Sequence, residues 1–170
     1  LGLRTVTVLG DAETLIRKLN PEFRIKDVPL DDAATYRLLC DGNTKGIFQL
    51  EGTQITNALM GLKPDSFEDI IALLALFRPG PMEQLGSFVH RKHGDEIIPI
   101  HPLVDPILAN TYGLIVYQEQ IMAIVRALAG YSPGEADMFR KAIGKKLPEL
   151  IAIEIANFTE RSIANGHDKK

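Results

Sequence analysis

A single cysteine, Cys40, is all that the 170-residue chain carries. A lone thiol excludes an internal disulfide and any zinc site built on paired cysteines, and it fits a reducing compartment. No apolar run approaches the roughly 18–20 residues of a membrane span, and no signal-peptide pattern is present. Internal repeats, low-complexity tracts and long Gly/Ser linkers are also absent. Nor does charge of one sign dominate: 19 Lys and Arg face 22 Asp and Glu, a formal net charge of −3. Nucleic-acid binding would therefore have to rest on local basic clusters. What is present, 45% hydrophobic and 24% charged residues, is the composition of a globular protein. The length suffices for one domain with its own core, or one and a small piece. The chain opens on Leu1-Gly2-Leu3, inside an apolar pattern and without Met, which reads as a piece of something longer.

Periodicity and punctuation predict a mainly α protein with a few short extended segments. Leu3, Val6, Leu9, Ala12, Leu15, Ile16 and Leu19 keep helical spacing up to Asn20-Pro21. The Thr5-Val8 alternation argues for a strand there and Gly10 weakens a helix; the helix is the favoured reading. Pro29 to Asp32 caps a short helix through about Cys40, ended by Gly42. Residues 46–50 read as an extended piece or tight loop, and Thr53 to Leu62 as a helix stopped by Lys63-Pro64. Ser66 and Asp69 form a capping-box pattern before an apolar helix with Phe67, Ile70, Ile71, Leu74 and Phe77 on one face. Arg78-Pro79-Gly80-Pro81 ends it. Further helices are predicted over Glu83–Lys92, from Pro102, over Gln118–Ala129, from Ser132, and from Pro148 to near Asn165-Gly166.

Phosphate chemistry needs cations held by rigid elements. Residues 140–146 read Arg-Lys-Ala-Ile-Gly-Lys-Lys, four cations in seven residues with no acid among them. They lie on the helix opened by Ser132, with Lys145 four residues beyond Lys141 on roughly one face. A solvated basic helix end, favoured by the macrodipole, is the bland alternative. Arg91-Lys92-His93 is a second basic spot, and Arg78 stands before a rigid proline turn. Tyr117-Gln118-Glu119-Gln120 carries amides suited to base contact or to capping, and Gln49 needs a partner if buried. No acid or nucleophile of comparable quality exists. Glu135 and Asp137 face different ways on a helix, and Glu135 belongs to a capping box. No Walker loop, nucleophile elbow or zinc spacing is found.

Several longer motifs follow one another: residues 46–51 GIFQLE, 67–72 FEDIIA, 77–82 FRPGPM, 91–94 RKHG, 111–120 TYGLIVYQEQ, 130–137 GYSPGEAD and 140–146 RKAIGKK. In this order they resemble the alpha subunit of bacterial DNA polymerase III, the C-family replicative polymerases, from Leu1 to about Gly166. The resemblance implies the end of the palm at residues 1–20 and an irregular helical fingers domain, incomplete at its C-terminus, at residues 21–170. The family's palm holds two Mg2+ on three aspartates, the last of them just before the segment that begins here at Leu1. The resemblance thus implies no catalytic residue and no metal site within the chain, and an isolated piece that does not polymerise. Where the family usually has two adjacent arginines on the incoming triphosphate, this chain has Arg140 and Lys141. Lys145 and Lys146 match a following basic pair suited to nucleotide or DNA phosphate. Arg78, Arg91, Lys92 and His93 match family motifs as further phosphate contacts.

The implied partners are primer-template DNA and a dNTP, with the sliding clamp and proofreading exonuclease meeting regions outside the chain. The implied location is cytoplasmic, without a membrane. Residues 84–88, QLGSF, superficially resemble a clamp-binding peptide, but read as surface and core alternation on a helix. The rival reading is a non-enzymatic helical module that binds nucleic acid or protein through the same basic helix.

Overall fold

The computed structural model describes residues 4–145 and 148–167. All regular structure among them is helical: nine α-helices and three short 3-10 turns, without a strand. Contacts divide the chain into two compact units, Leu1–Ile71 and Ala72–Lys170.

In the first unit, α1 (Arg4–Ile16) forms despite the Thr5-Val8 alternation. It buries none of its residues and leaves Val6, Val8, Leu9, Leu15 and Ile16 exposed. Helix α2 (Ala33–Cys40) starts where Asp32 accepts from the Thr35 N–H at 2.7 Å, satisfying an otherwise unpaired first-turn donor. It ends at Cys40, and the chain turns away through Gly42, whose φ of +75° a residue with a Cβ rarely adopts. The 46–50 segment is a run of turns tied by Gly46 N–H donating to Glu51 at 2.8 Å. Gln49 is exposed there, so its amide meets water. Helix α3 (Thr53–Leu62) occupies the predicted residues and buries Ile55, Leu59 and Leu62, one stripe at helical spacing. It packs on α2, where Tyr36 and Leu39 are buried.

Helix α4 (Phe67–Leu76) has the predicted ends but not the predicted face. Ala72, Leu73 and Leu76 are buried together with Asp69, whereas Phe67 and Ile71 are exposed. Nearly all of this helix is apolar, so periodicity alone could not choose the stripe. Asp69 tolerates burial because its carboxylate accepts from the N–H groups of Asp65 and Ser66, at 3.1 and 3.3 Å.

In the second unit, Pro81–Gln84 form a 3-10 turn, and α5 (Leu85–Lys92) follows, two residues later than predicted. Phe88 is fully buried, its ring edge-on to Tyr112 at 5.0 Å. Pro102 lies in a turn and starts no helix. The Asp105 carboxylate accepts from Ile100 and His101 N–H, the chain turns, and the short α6 (Asp105–Leu108) carries Pro106 in its first turn instead. Helices α7 (Gln118–Ala129), α8 (Pro133–Gly144) and α9 (Pro148–Ala164) then pack on one another. Their shared core is Val125, Ala129, Tyr131, Ala136 and Phe139, covered by Ile121, Met122, Ile143 and Phe158.

Candidate phosphate-binding site on helix α8

Helix α8 begins at a closed capping box. Ser132 Oγ accepts from Glu135 N–H at 3.3 Å, and Glu135 Oε2 accepts from Ser132 N–H at 2.7 Å. The other Glu135 oxygen accepts from Arg161 Nη1 of α9 at 2.8 Å, and Arg161 lies over the Tyr131 ring, 4.2 Å from its centroid. The Ser132 backbone bond, then Arg161, hold the Glu135 carboxyl down at a pKa of about 2.

With its start fixed, α8 turns Ala136, Phe139 and Ala142 into the core. The opposite face then presents Asp137, Arg140 and Lys141, and these three meet. Asp137 Oδ1 accepts from Arg140 Nε at 3.0 Å and from Nη2 at 2.8 Å, while Oδ2 lies 2.7 Å from Lys141 Nζ. Helical geometry brings residues three and four apart together, so one carboxylate reaches both cations. Both contacts lower the Asp137 pKa, that of Lys141 first. The third fixed point on Arg140 comes from α7, whose first residue, Gln118, accepts from Arg140 Nη1 at 2.9 Å.

A guanidinium has five N–H donors. Among the described residues three of Arg140's are taken, which leaves one on each terminal nitrogen. The side chain is 29% exposed and that of Lys141 52%. The site is therefore a held, partly desolvated guanidinium beside a more exposed ammonium, with one carboxylate between them. Such a group can receive an anion on the free donors without first having to be ordered.

The other predicted cations stand in varied settings. Lys145 caps α8, its N–H donating to Lys141 O at 3.0 Å, and is exposed. Lys146 lies outside the described residues. Arg78 is exposed, and its backbone braces the proline turn by accepting from Met82 N–H at 3.1 Å. Arg91 donates to Tyr112 O at 3.0 Å, a tie between α5 and the loop before α7. Lys92 ends α5 and His93 caps it. Among the described residues no hydrogen bond or ion pair joins Arg78 or Arg91 to the Asp137 group.

Sequence reasoning noticed Gln118 and Gln120 without separating their roles. Gln118 holds Arg140. Gln120 is buried, accepts from Val116 and Tyr117 N–H and donates to Thr111, so it builds the α7 start. It missed Asp137 as the common partner of the cations, weighing it only as half of a metal pair. The signal was available in the Asp-x-x-Arg-Lys spacing, an i to i+3 and i+4 pattern. Among the described residues no three His, Cys, Asp or Glu gather so as to hold a metal ion.

Residues 5–166 match the model of the bacterial DNA polymerase III alpha subunit finger domain. The chain is 48% identical to DNA polymerase III subunit alpha of Chlamydia pneumoniae, over 99% of this chain and 14% of that protein. It is 49% identical to the Mycobacterium leprae subunit alpha, over 98% of this chain and 15% of that protein. With the Aquifex aeolicus subunit alpha the identity is 43%, over the whole chain and 15% of that protein. The chain thus spans about one-seventh of the length of these curated relatives.

Proposed function

Since the chain belongs to the finger-domain family of the bacterial DNA polymerase III alpha subunit, we propose that it binds the incoming nucleotide in template-directed DNA synthesis. In the whole polymerase the primer 3′-hydroxyl oxygen bonds to the α-phosphorus of a dNTP and pyrophosphate leaves. The part of this chain is to hold the triphosphate, with Arg140 as the principal contact and Lys141 beside it. The observation that carries this reading is the Arg140 guanidinium, fixed by Asp137 and Gln118 with, among the described residues, a donor left on each terminal nitrogen. Charge placed in advance where a triphosphate accumulates negative charge lowers the barrier without reorganisation.

Mg2+ would supply further charge neutralisation in the whole enzyme, on carboxylates outside this chain. The acids of α8 do not suit it: both Asp137 oxygens are engaged by cations, and both Glu135 oxygens by Ser132 and Arg161. Residues 1–20 would lead from the palm, and α1 supports this by exposing an apolar face that a neighbouring domain could cover. Lys145 and Lys146, with Arg78, Arg91, Lys92 and His93, are proposed as secondary contacts to nucleotide or DNA phosphate. The chain alone would not polymerise. Primer-template DNA is its macromolecular partner, and the clamp and proofreading exonuclease would meet other regions. The buried Phe88 supports excluding residues 84–88 as a clamp peptide. The location is proposed as cytoplasmic.

The test is Arg140→Ala in the whole polymerase, with steady-state kinetics on a primed template. The expected result is a loss in kcat/KM for dNTP of more than about tenfold, the scale of one removed charge-stabilising donor. Unchanged kinetics would remove Arg140 from the site.

A further inference from the structure

The cations of α8 are not simply displayed on a helix surface; one acid arranges them. We propose that Asp137 is a positioning residue for nucleotide binding, holding Arg140 and Lys141 in the geometry in which they receive the triphosphate. The inference rests on the nucleotide-binding reading of Arg140 and adds a residue that touches no phosphate itself.

Three observations carry it. First, Asp137 Oδ1 takes the Nε and Nη2 donors of Arg140, the side edge of the guanidinium, and Gln118 takes one on Nη1. Bonds from two helices fix the plane of the group and leave one donor on each end nitrogen. A long arginine side chain otherwise loses much rotamer freedom on binding an anion. Secondly, the same carboxylate draws Lys141 Nζ to 2.7 Å. Two adjacent cations thus share one counter-charge, which tempers their repulsion when no anion is present. Thirdly, Asp137 is 36% exposed and lies on the face away from the α8 core. Its side chain contributes little packing, so its hydrogen bonds to the two cations are its main structural work.

The arrangement predicts a particular division of effects. Removing Asp137 leaves both cations charged and takes away a negative group near the phosphate site. Attraction for a triphosphate then stays equal or rises, while the orientation of Arg140 is lost. Interactions that matter only when correctly aimed appear in kcat, and uniform attraction appears in KM. Asp137→Asn keeps one side-chain oxygen that can still accept from Arg140, so it restores part of what alanine loses.

The experiment measures dNTP incorporation on a primed template by the whole polymerase carrying Asp137→Ala, Asp137→Asn, Arg140→Ala, and Asp137→Ala combined with Arg140→Ala. We expect Asp137→Ala to lower kcat by about tenfold with a dNTP KM no higher than that of the parent, and Asp137→Asn to fall between. In the Arg140→Ala background, Asp137→Ala should cost less than in the parent, because only Lys141 is left for it to position. An undiminished kcat in Asp137→Ala overturns the inference. So does an equal loss with and without Arg140, which marks a role independent of that side chain. If Arg140→Ala alone leaves nucleotide kinetics intact, the underlying site reading fails; if Arg140→Ala is impaired and Asp137→Ala is not, only the positioning role fails.

Discussion

Glu135 and Arg161 join α8 to α9 at 2.8 Å, and the same Glu135 carboxylate closes the cap on which α8 begins. A single acid therefore sets where α8 starts and ties α9 to it. The placement of Arg140 follows from that start, because α8 runs unbroken from Pro133 to Gly144.

This junction should be acid-sensitive. The Glu135 carboxyl has a folded pKa of about 2 against an ordinary value of 4.5, so ionisation favours the folded state. Its stabilisation is complete above the ordinary value and fades as the pH falls from about 4.5 through about 2. Glu135→Gln keeps an oxygen for the cap but loses the ion pair with Arg161. Thermal melts should find the variant less stable than the parent at pH 7. The gap should shrink below about pH 4.5 and close near pH 2. A gap independent of pH would show that the charge of Glu135 has no part in the junction.

Lys141 invites a gain rather than a loss. It is half exposed and meets Asp137 through a single ammonium contact. Lys141→Arg substitutes a planar fork that can serve Asp137 and a phosphate oxygen together. In the whole polymerase the variant should retain full kcat/KM for dNTP or improve it slightly. A loss beyond about tenfold would mean that the surroundings are packed around lysine.

Backbone conformation gives a paired prediction in the first unit. At Gly42, φ is +75°, and an added Cβ would lie 2.8 Å from Met60 Sδ and 3.2 Å from Thr56 Cγ2. Gly42→Ala should therefore destabilise by about 1–2 kcal/mol from the backbone alone, with repacking of Met60 in addition. Gly10 lies inside α1 with nothing within 4 Å of its Cβ position. Gly10→Ala should instead favour the folded chain by roughly 0.5–1 kcal/mol. Urea titrations of the two variants should move in opposite directions; movement the same way would contradict the conformations of α1 and the α2 turn.

The ends of the helices were legible wherever a local chemical rule sets them. Ser132-Pro133-Gly134-Glu135 announces α8, and Lys63-Pro64 stops α3, because caps and prolines act within a few residues. Faces and partners were less legible. Residues 67–76 are apolar on most sides, so the buried stripe through Leu73 and Leu76 is chosen by tertiary packing and not by period. Pro102 and Pro106 look alike in sequence, and the Asp105 carboxylate decides which of them enters a helix. At the candidate site the cations and their helix were read, whereas Asp137 was missed as their common partner although its i+3 and i+4 spacing to them was readable. Gln118 was not: its bond to Arg140 spans 22 residues and exists only once α7 packs on α8.

Two glutamines two positions apart on α7 should behave very differently. All four hydrogen-bonding positions of the Gln120 amide are used. Oε1 accepts from Val116 and Tyr117 N–H at 2.8 and 2.9 Å, and Nε2 donates to Thr111 Oγ1 at 2.8 Å and Ile107 O at 3.3 Å. Thr111 is fully buried; its hydroxyl donates to Leu114 O at 2.6 Å, and the lone pair that accepts from Gln120 has no water to turn to. Gln120→Ala removes all four of these bonds and should cost about 2–3 kcal/mol, seen as a lower urea midpoint. Gln118 is exposed, and its side-chain partner among the described residues, Arg140, can be solvated in its place. Gln118→Ala should therefore stay within about 0.5 kcal/mol of the parent in stability. Its effect should appear instead in dNTP turnover by the whole polymerase, as a smaller version of the Asp137→Ala loss. Equal destabilisation by the two variants would mean that Gln118, too, serves the fold and not the site.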